Sequence, residues 1–259
     1  MATFLFDKII FGPVKSRRLG VSLGVNLLPT NVKICSFDCI YCECGWTPRK
    51  REQKAELPSR AEVALKLEAQ LQLMLEKGEL PDVITFAGNG EPTLHPQFAA
   101  IIDDTIALRN RYAPTCRIAV LSNATMLNRE PVVEALLKVD DNIQKLDSAI
   151  AETVEALDCP MGHFRLDEVI EQLARFGKQV IIQTLFVRGT HKGQRIDNTT
   201  PEELEAWLAA LKKIIPGQVM IYTIARDTPA QGLEKISKDE LNRIAALLKR
   251  EGIPVQVSA

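Results

Sequence analysis

Residues 21–42 read VSLGVNLLPTNVKICSFDCIYC, and this stretch decides both the fold and the candidate site. Val21 to Leu28 is apolar and rich in residues that favour strands, which predicts a β-strand. Cys35, Cys39 and Cys42 follow this strand on a short loop. In barrels of alternating strands and helices, the chemistry lies in the loops that follow the strands. These thiols are therefore expected on the functional face.

A second strand and loop repeat this arrangement one unit later. Val83 to Phe86 predicts a short buried strand, and residues 88–96 after it read GNGEPTLHP. Glycines let backbone approach a ligand closely, and the carboxylate of Glu91 suits an ammonium group. The alternative for Glu91 is an ordinary loop carboxylate at the surface. His95 is expected to be structural rather than catalytic.

The alternation of strands and helices continues to the C-terminus. Periodicity and caps predict helices at about residues 57–78, 98–109, 130–138, 152–157, 166–176, 200–215 and 237–252. Further strands are expected at about 118–121, 143–146, 180–187, 219–225 and 254–257. This pattern predicts an α/β fold with a parallel sheet, either open or curled into a barrel.

Polar residues stand on or after the later strands, where the barrel interpretation places the site. They are Ser122, Asn123, Asp147, Gln183, Thr184, Tyr222 and Arg226. Two of them have a structural alternative, Asn123 as a turn residue or helix cap and Asp147 as the N-cap of the following helix. Arg226 either binds an acid or forms a salt bridge at the rim.

Composition limits the class of protein. The chain has 259 residues, 46% of them hydrophobic, and a formal net charge of −1, which suits one substantial core and no general attraction to nucleic acid. No signal peptide or membrane span is recognisable, so no membrane association and a cytoplasmic location are expected. A single domain is expected over residues 1–259, with a core at about 20–226 and a C-terminal extension at about 227–259.

Four of the six cysteines, including Cys44, fall within residues 35–44. In a reducing compartment such clustering indicates metal or redox chemistry. Three thiolates on one loop suit an iron–sulfur cube, because each binds one iron and the fourth iron keeps an open position. The alternative is a zinc site made from all four thiolates, although zinc ligands usually form two separated pairs. Cys116 and Cys159 are expected to be inert and distant.

The Cys-x-x-x-Cys-x-x-Cys spacing, with an aromatic residue before the last cysteine, resembles the radical S-adenosylmethionine (SAM) superfamily. The stretch Gly-Asn-Gly-Glu is similar to the second motif of that superfamily. The resemblance implies a partial (β/α)6 TIM-like barrel with a short C-terminal helix–strand extension. It implies a 4Fe–4S cluster on Cys35, Cys39 and Cys42, with SAM on the open iron. The implied cofactor-binding residues are Tyr41, Gly88, Asn89, Gly90, Glu91, Asn123, Asp147 and Arg226.

The same resemblance implies the reaction and one partner. A reduced cluster cleaves SAM to methionine and a 5′-deoxyadenosyl radical, which abstracts hydrogen from a substrate. The cofactors carry this chemistry, and the protein orients and shields it. The electron is expected to come from a one-electron donor such as flavodoxin or ferredoxin.

One branch of the superfamily is more similar than the rest. Residues 11–26 read FGPVKSRRLGVSLGVN and, with both motifs and the later Phe-Val-Arg-Gly at 186–189, resemble the wyosine-synthase-like branch of Fe–S oxidoreductases. The resemblance extends from about Phe11 to Gln256. Archaeal wyosine synthases use upstream cysteines for a second cluster, whereas this chain has no cysteine before Cys35.

The substrate stays open between a small molecule, RNA, in particular a tRNA nucleoside, and a partner protein. The last case would make the chain a radical SAM activase, and a non-catalytic metal-binding module is the alternative from another class. Basic residues near the site suit RNA phosphate or a phosphorylated small molecule, although a solvated loop is the favoured interpretation of residues 49–54. These residues are Lys15, Arg17, Arg18, Lys33, Arg49, Lys50, Arg51 and Lys54.

Overall fold

The computed structural model describes residues 4–48 and 55–259. The strands are β1 (Ile10–Ser16), β2 (Gly20–Val25), β3 (Val83–Phe86), β4 (Arg117–Ser122), β5 (Asp141–Lys145), β6 (Val180–His191), β7 (Gln194–Asp197), β8 (Gln218–Thr223), β9 (Leu233–Lys235) and β10 (Val255–Ser258). The helices are α1 (Arg60–Lys77), α2 (Phe98–Tyr112), α3 (Glu130–Leu136), α4 (Ala151–Asp158), α5 (Leu166–Ala174), α6 (Pro201–Ile214) and α7 (Lys238–Arg250).

The sheet has the strand order β1-β2-β3-β4-β5-β6-β8-β10. Every neighbouring pair from β2 onwards is parallel, and helices provide the crossovers between them. The sheet curls into a half-barrel of six strand–helix units, to which β10 adds a parallel edge strand. This confirms the expected α/β partial barrel with a C-terminal helix–strand extension.

Alternate residues of the strands face two different environments. Residues on one side pack against the helices, as Leu23, Ile84 and Ile118 do in the main hydrophobic core. Residues on the other side form the barrel lumen. The lower end of the lumen, at the amino ends of the parallel strands, is filled by an apolar cluster of Leu19, Val83, Ala119, Ile143 and Met220. Since Leu19 lies in the turn between β1 and β2, this hairpin closes the lower mouth.

The ends of α1 follow the sequence signals. The Ser59 side chain accepts a hydrogen bond from the Glu62 amide at 3.2 Å, which satisfies one free donor of the first turn. Gly78 ends the helix with a φ of 70°, a left-handed conformation that glycine adopts without strain. Val63, Leu67, Leu71 and Met74 form its buried face. The helix thus returns the chain to the lower end of the barrel.

Three short strands were not expected from the sequence. β1 contains Gly12 and Pro13, which are typical of turns, yet a register shift between Phe11 and Val14 accommodates them at the sheet edge. Proline is tolerated there because an edge strand does not need every donor. β7 and β9 pair antiparallel with the upper half of β6, which runs to His191 rather than ending near residue 187.

Within residues 4–48 and 55–259, no helix combines the length and the apolar character that crossing a bilayer requires.

Candidate functional site

The cysteine loop (residues 32–48) follows β2 at the upper end of the barrel and is joined to the loop after β3. The Ile34 amide donates to Asn89 O at 2.9 Å, and the Glu91 amide donates to Ile34 O at 3.0 Å. These bonds make a small parallel bridge between the two loops. Gly90 permits it, because a Cβ at this position would lie 1.8 Å from Ile34 O. The two sequence motifs therefore form one unit.

The backbone of the cysteine loop turns tightly around the three thiols. The Cys42 amide donates to Cys39 O at 3.1 Å, and the Gly45 amide donates to Cys42 O at 2.9 Å. The Cys35 sulfur accepts from the Phe37 amide at 3.4 Å. All three cysteines are half-buried, at the junction of the loop and the lumen.

The three thiols have different proton affinities. Burial raises the pKa of Cys35 to about 12 and also raises that of Cys39. A hydrogen bond from Cys44 and the nearby Lys33 ammonium lower the pKa of Cys42 to about 6 although burial opposes them. Charge repulsion from Cys42 adds to the rise in the pKa of Cys35, and repulsion from Cys42 and Cys35 adds to that of Cys39.

The donor set fits an iron–sulfur cube better than a single ion. Within the described part of the chain, no three side chains of His, Cys, Asp or Glu converge as the ligands of one ion would. A structural zinc site needs four ligands around one centre. In a cube each thiolate binds a different iron, so the three sulfurs surround the cluster without converging on one atom. The loop has three such sulfurs on adjacent turns.

Asn123 connects the cysteine loop to the end of β4. Its Nδ2 lies 2.9 Å from Ser36 Oγ and 3.6 Å from Cys35 Sγ, while its backbone amide donates to Glu91 Oε2 at 2.7 Å. Its Oδ1 accepts from Thr125, so the predicted turn role holds as well. One residue thus contacts both predicted motifs.

Glu91 lies fully inside the protein. Its Oε1 accepts from the backbone amide and the hydroxyl of Thr93, and Oε2 accepts from Asn123. Burial raises the pKa of Glu91, although these hydrogen bonds favour the charged form. The surface alternative for this carboxylate is therefore wrong.

Tyr41 and Asp147 meet in a charged network that the sequence reasoning missed. The Tyr41 hydroxyl donates to Asp147, and Lys145 contacts Asp147 and lies 3.0 Å from Asp158 Oδ1. Burial opposes the charge of Lys145, but the two carboxylates raise its pKa well above the usual range. Asp147 is not the N-cap of α4, because Ile150 occupies that position. Instead Asp147 accepts from the Leu185 amide on β6.

Two of the predicted cofactor-binding residues, Asn89 and Arg226, contact the other site residues only through their loops. The Asn89 side chain bonds Phe6 and Pro29, so it ties the N-terminal segment to the loop after β3. Arg226 is exposed at the rim and forms an ion pair with Glu43 at 2.6 Å. The structure brings together Tyr41, Glu91, Asn123, Asp147 and the three cysteines, whereas Asn89 and Arg226 contact them through their loops.

The remaining cysteines and His95 are distributed around the site. Cys44 Sγ lies 3.3 Å from Gly88 O, at the junction of the two loops. Cys116 is buried at the lower end, as expected. The expectation that Cys159 lies far away is wrong, because Cys159 O accepts from the Asp38 amide of the cysteine loop. His95 bonds Pro58 O and the Gln97 amide, which agrees with a structural role.

The basic residues that the structure describes do not form one surface. Lys33 is buried inside the cysteine loop, which corrects its assignment to a phosphate-binding surface. Arg18 reaches Gln183 and stacks on the Tyr222 ring in the lumen, while Lys15 and Arg17 are exposed. Arg49, Lys50, Arg51 and Lys54 lie outside the described residues.

Comparison with known proteins identifies the superfamily. A sequence model of the radical SAM superfamily matches residues 32–149, which include both joined loops. Over 241 residues the chain is 32% identical to a UPF0026 protein of Helicobacter pylori, covering 90% of this chain and 71% of that protein. The chain belongs to the radical SAM superfamily. A protein of Brachyspira hyodysenteriae named GTPase Obg is 28% identical over 92% of this radical SAM chain, which spans 33% of that protein's length.

Solved structures share the fold of this radical SAM protein. A radical SAM methyltransferase from Sphaerobacter thermophilus has a TM-score of 0.67 at 16% identity, over 92% of this chain and 65% of that one. TYW1 with a lysine–pyruvate adduct bound has a TM-score of 0.61 at 15% identity, over 88% and 73%. At these identities the similarity establishes the curled half-barrel and not the reaction.

Proposed function

We propose that this chain is a radical SAM enzyme that uses a 4Fe–4S cluster and SAM to abstract hydrogen from a substrate held in the barrel. The observation that carries the proposal is the joining of the cysteine loop to the Gly-Asn-Gly-Glu loop through Ile34, with Asn123 in contact with both. A structural metal knot has no need of the second loop.

Cys35, Cys39 and Cys42 would hold the cluster. Backbone turns join these residues on one short loop, and no other His, Cys, Asp or Glu in the described part of the chain completes a set with them. This leaves one iron for an external ligand. The Asn123 amide, 3.6 Å from Cys35 Sγ, would orient that thiolate.

The loop at residues 88–91 would hold the amino group of SAM. Gly88 and Gly90 let this loop pack closely against Asn26 and Ile34, and buried Glu91 supplies the negative charge. Asn123, Tyr41 and Asp147 would contact the ribose or the methionine part from the far side. Asn89 would act by holding the loop, and Arg226, freed from Glu43, would reach the carboxylate from the rim.

When bound and reduced, the cluster supplies the electron that cleaves SAM to methionine and a 5′-deoxyadenosyl radical. The chain's own residues bind, orient and exclude water. The lower mouth is closed by Leu19, so solvent and substrate reach the lumen from the upper end or the open side of the half-barrel. A one-electron donor of the flavodoxin or ferredoxin class would reduce the cluster. We propose a tRNA nucleoside as the substrate class, because residues 11–26 and 186–189 resemble the wyosine-synthase-like branch.

The continuous sheet from β2 to β10 supports a single domain with a core at about 20–226 and an extension at about 227–259. In particular, β10 pairs directly with β8, so the extension completes the edge of the same sheet.

The test is anaerobic SAM cleavage. Protein reconstituted with iron and sulfide, reduced with dithionite and given SAM is expected to release 5′-deoxyadenosine, measured by chromatography. Cys39→Ala is expected to lose both the cluster absorption and all cleavage. Cys116→Ala, a buried thiol at the lower end, is the matched control and should keep both. A fully loaded wild-type protein that releases no 5′-deoxyadenosine would contradict the proposal.

The two alternatives are outcomes of the same experiment. Stoichiometric zinc that resists replacement by iron would favour a metal-binding module. Cleavage that occurs only when a second protein is added, and leaves a stable radical on that protein, would favour an activase.

A further inference from the structure

A buried lysine lies inside the cysteine loop, and the proposed function gives it no role. The Lys33 side chain is 2% exposed, and its Nζ donates to Gly45 O at 2.7 Å. The nearest carboxylate in the described part of the chain, Asp38, is 3.9 Å away, and the same Oδ1 accepts from the Thr47 amide. One carbonyl therefore satisfies one of the three donors of the ammonium group.

A buried ammonium group is costly unless negative charge lies beside it. Burial opposes the charge of Lys33, yet the thiolates of Cys42, Cys35 and Cys39 raise its pKa above the usual value. The carbonyl that accepts from Nζ belongs to Gly45, whose amide donates to Cys42 O at 2.9 Å, so the ammonium lies against the turn that carries Cys42. A methionine would fill the same space without the cost of burying a charge.

Reduction potentials of iron–sulfur clusters depend on local charge and on hydrogen bonds to the sulfurs. A cluster gains one negative charge when it accepts an electron, so a fixed cation nearby stabilises the reduced form more than the oxidised form. Because Lys33 is buried and its Nζ is bonded to Gly45 O in the cysteine loop, the cation is fixed in place by the fold.

We propose that Lys33 raises the reduction potential of the cluster and thereby sets the fraction that a low-potential one-electron donor reduces. The proposal rests on the cluster assigned under the proposed function. In this step one electron passes from the donor to the cluster, no bond forms or breaks, and Lys33 keeps its proton. Lys33 is thus a positioning residue that acts through the thiolate ligands.

The test is a redox titration of reconstituted protein, in which dithionite supplies the electrons and electron paramagnetic resonance measures the reduced cluster. At the wild-type midpoint, Lys33→Met is expected to lower the ratio of reduced to oxidised cluster at least about tenfold, a downward shift of about 59 mV for one electron. Lys33→Gln, which keeps a hydrogen-bond donor, should shift the midpoint in the same direction. Lys33→Arg keeps the positive charge, so its midpoint potential should lie close to that of the wild type.

Lys77→Met is the matched control, because it removes the same charge at the end of α1, on the lower side of the barrel. Its midpoint should equal that of the wild type. Iron and sulfide contents are measured for every variant. A loaded Met or Gln variant with the wild-type midpoint would overturn the inference. Failure of both variants to bind a cluster would also overturn the inference, because Lys33 would then be needed for cluster assembly. A wild type that holds no cluster would instead refute the proposed function.

Discussion

The two ends of the barrel lumen are built from the same strands but differ in chemistry. On β5, Ile143 belongs to the apolar cluster at the lower end, and Lys145, two residues later on the same face, belongs to the charged network. A rise of about 7 Å along the strand separates them. The lower end stabilises the barrel and closes it, whereas the upper end keeps charge buried beside the cysteine loop.

The strongest test of this difference is the removal of the buried cation. Lys145→Met leaves Asp147 and Asp158 as two buried carboxylates without the cation that neutralises them, so a loss of roughly 3–5 kcal/mol in the free energy of unfolding is expected. Asp158→Asn should lower the free energy of unfolding clearly less, because Lys145 still forms its ion pair with Asp147. Anaerobic urea unfolding, followed by circular dichroism, measures both. Equal losses would show that the two carboxylates do not share Lys145 as the structure indicates.

The corresponding change at the lower end is Leu19→Ala. Leu19 is 6% exposed and lies in a cluster with residues of four strands, so its truncation should cost about 2–3 kcal/mol through lost contacts and a cavity. Cluster content per protein should be unchanged, because the cysteine loop lies at the other end. Val14→Ala, at an exposed position of the same hairpin, is the control and should cost below about 0.5 kcal/mol. Loss of the cluster in Leu19→Ala would contradict the claim that the lower end stabilises the barrel without affecting the cysteine loop.

The smallest expected effect concerns His95, which shows that not every polar side chain at the upper end belongs to the site. Burial lowers the pKa of His95 below its usual value near 6.5. As pH falls through that value, the unfolded chain takes up a proton that the folded chain does not, so stability decreases by up to about 1.4 kcal/mol per unit of pKa difference.

His95→Gln should therefore have a flatter dependence of unfolding free energy on pH between about 7 and 5. Its SAM cleavage should stay near the wild-type rate at pH 7.5. An unchanged pH dependence in the variant would show that His95 titrates normally in the folded protein.

The sequence predicted the site in part. Cysteine spacing and the glycine motif located two loops, and the strand pattern placed both at the upper end, which the bridge through Ile34 confirms. The charged network could not be predicted, because Tyr41, Lys145 and Asp158 are far apart in the chain and nothing local marks them as partners. Burial of Lys33 was missed for the same reason, since a lysine in a polar loop is usually exposed.

The sequence by itself determined the order of the parallel strands and their helices and the position of the cysteine loop, because hydrophobic period, caps and ligand spacing are local signals. The tertiary structure decided which of the remaining polar residues meet. Residues 157–159 lie against the cysteine loop only because α4 follows β5 and returns across the upper end. Such contacts depend on how the sheet curls, and curling is a property of all its strands together.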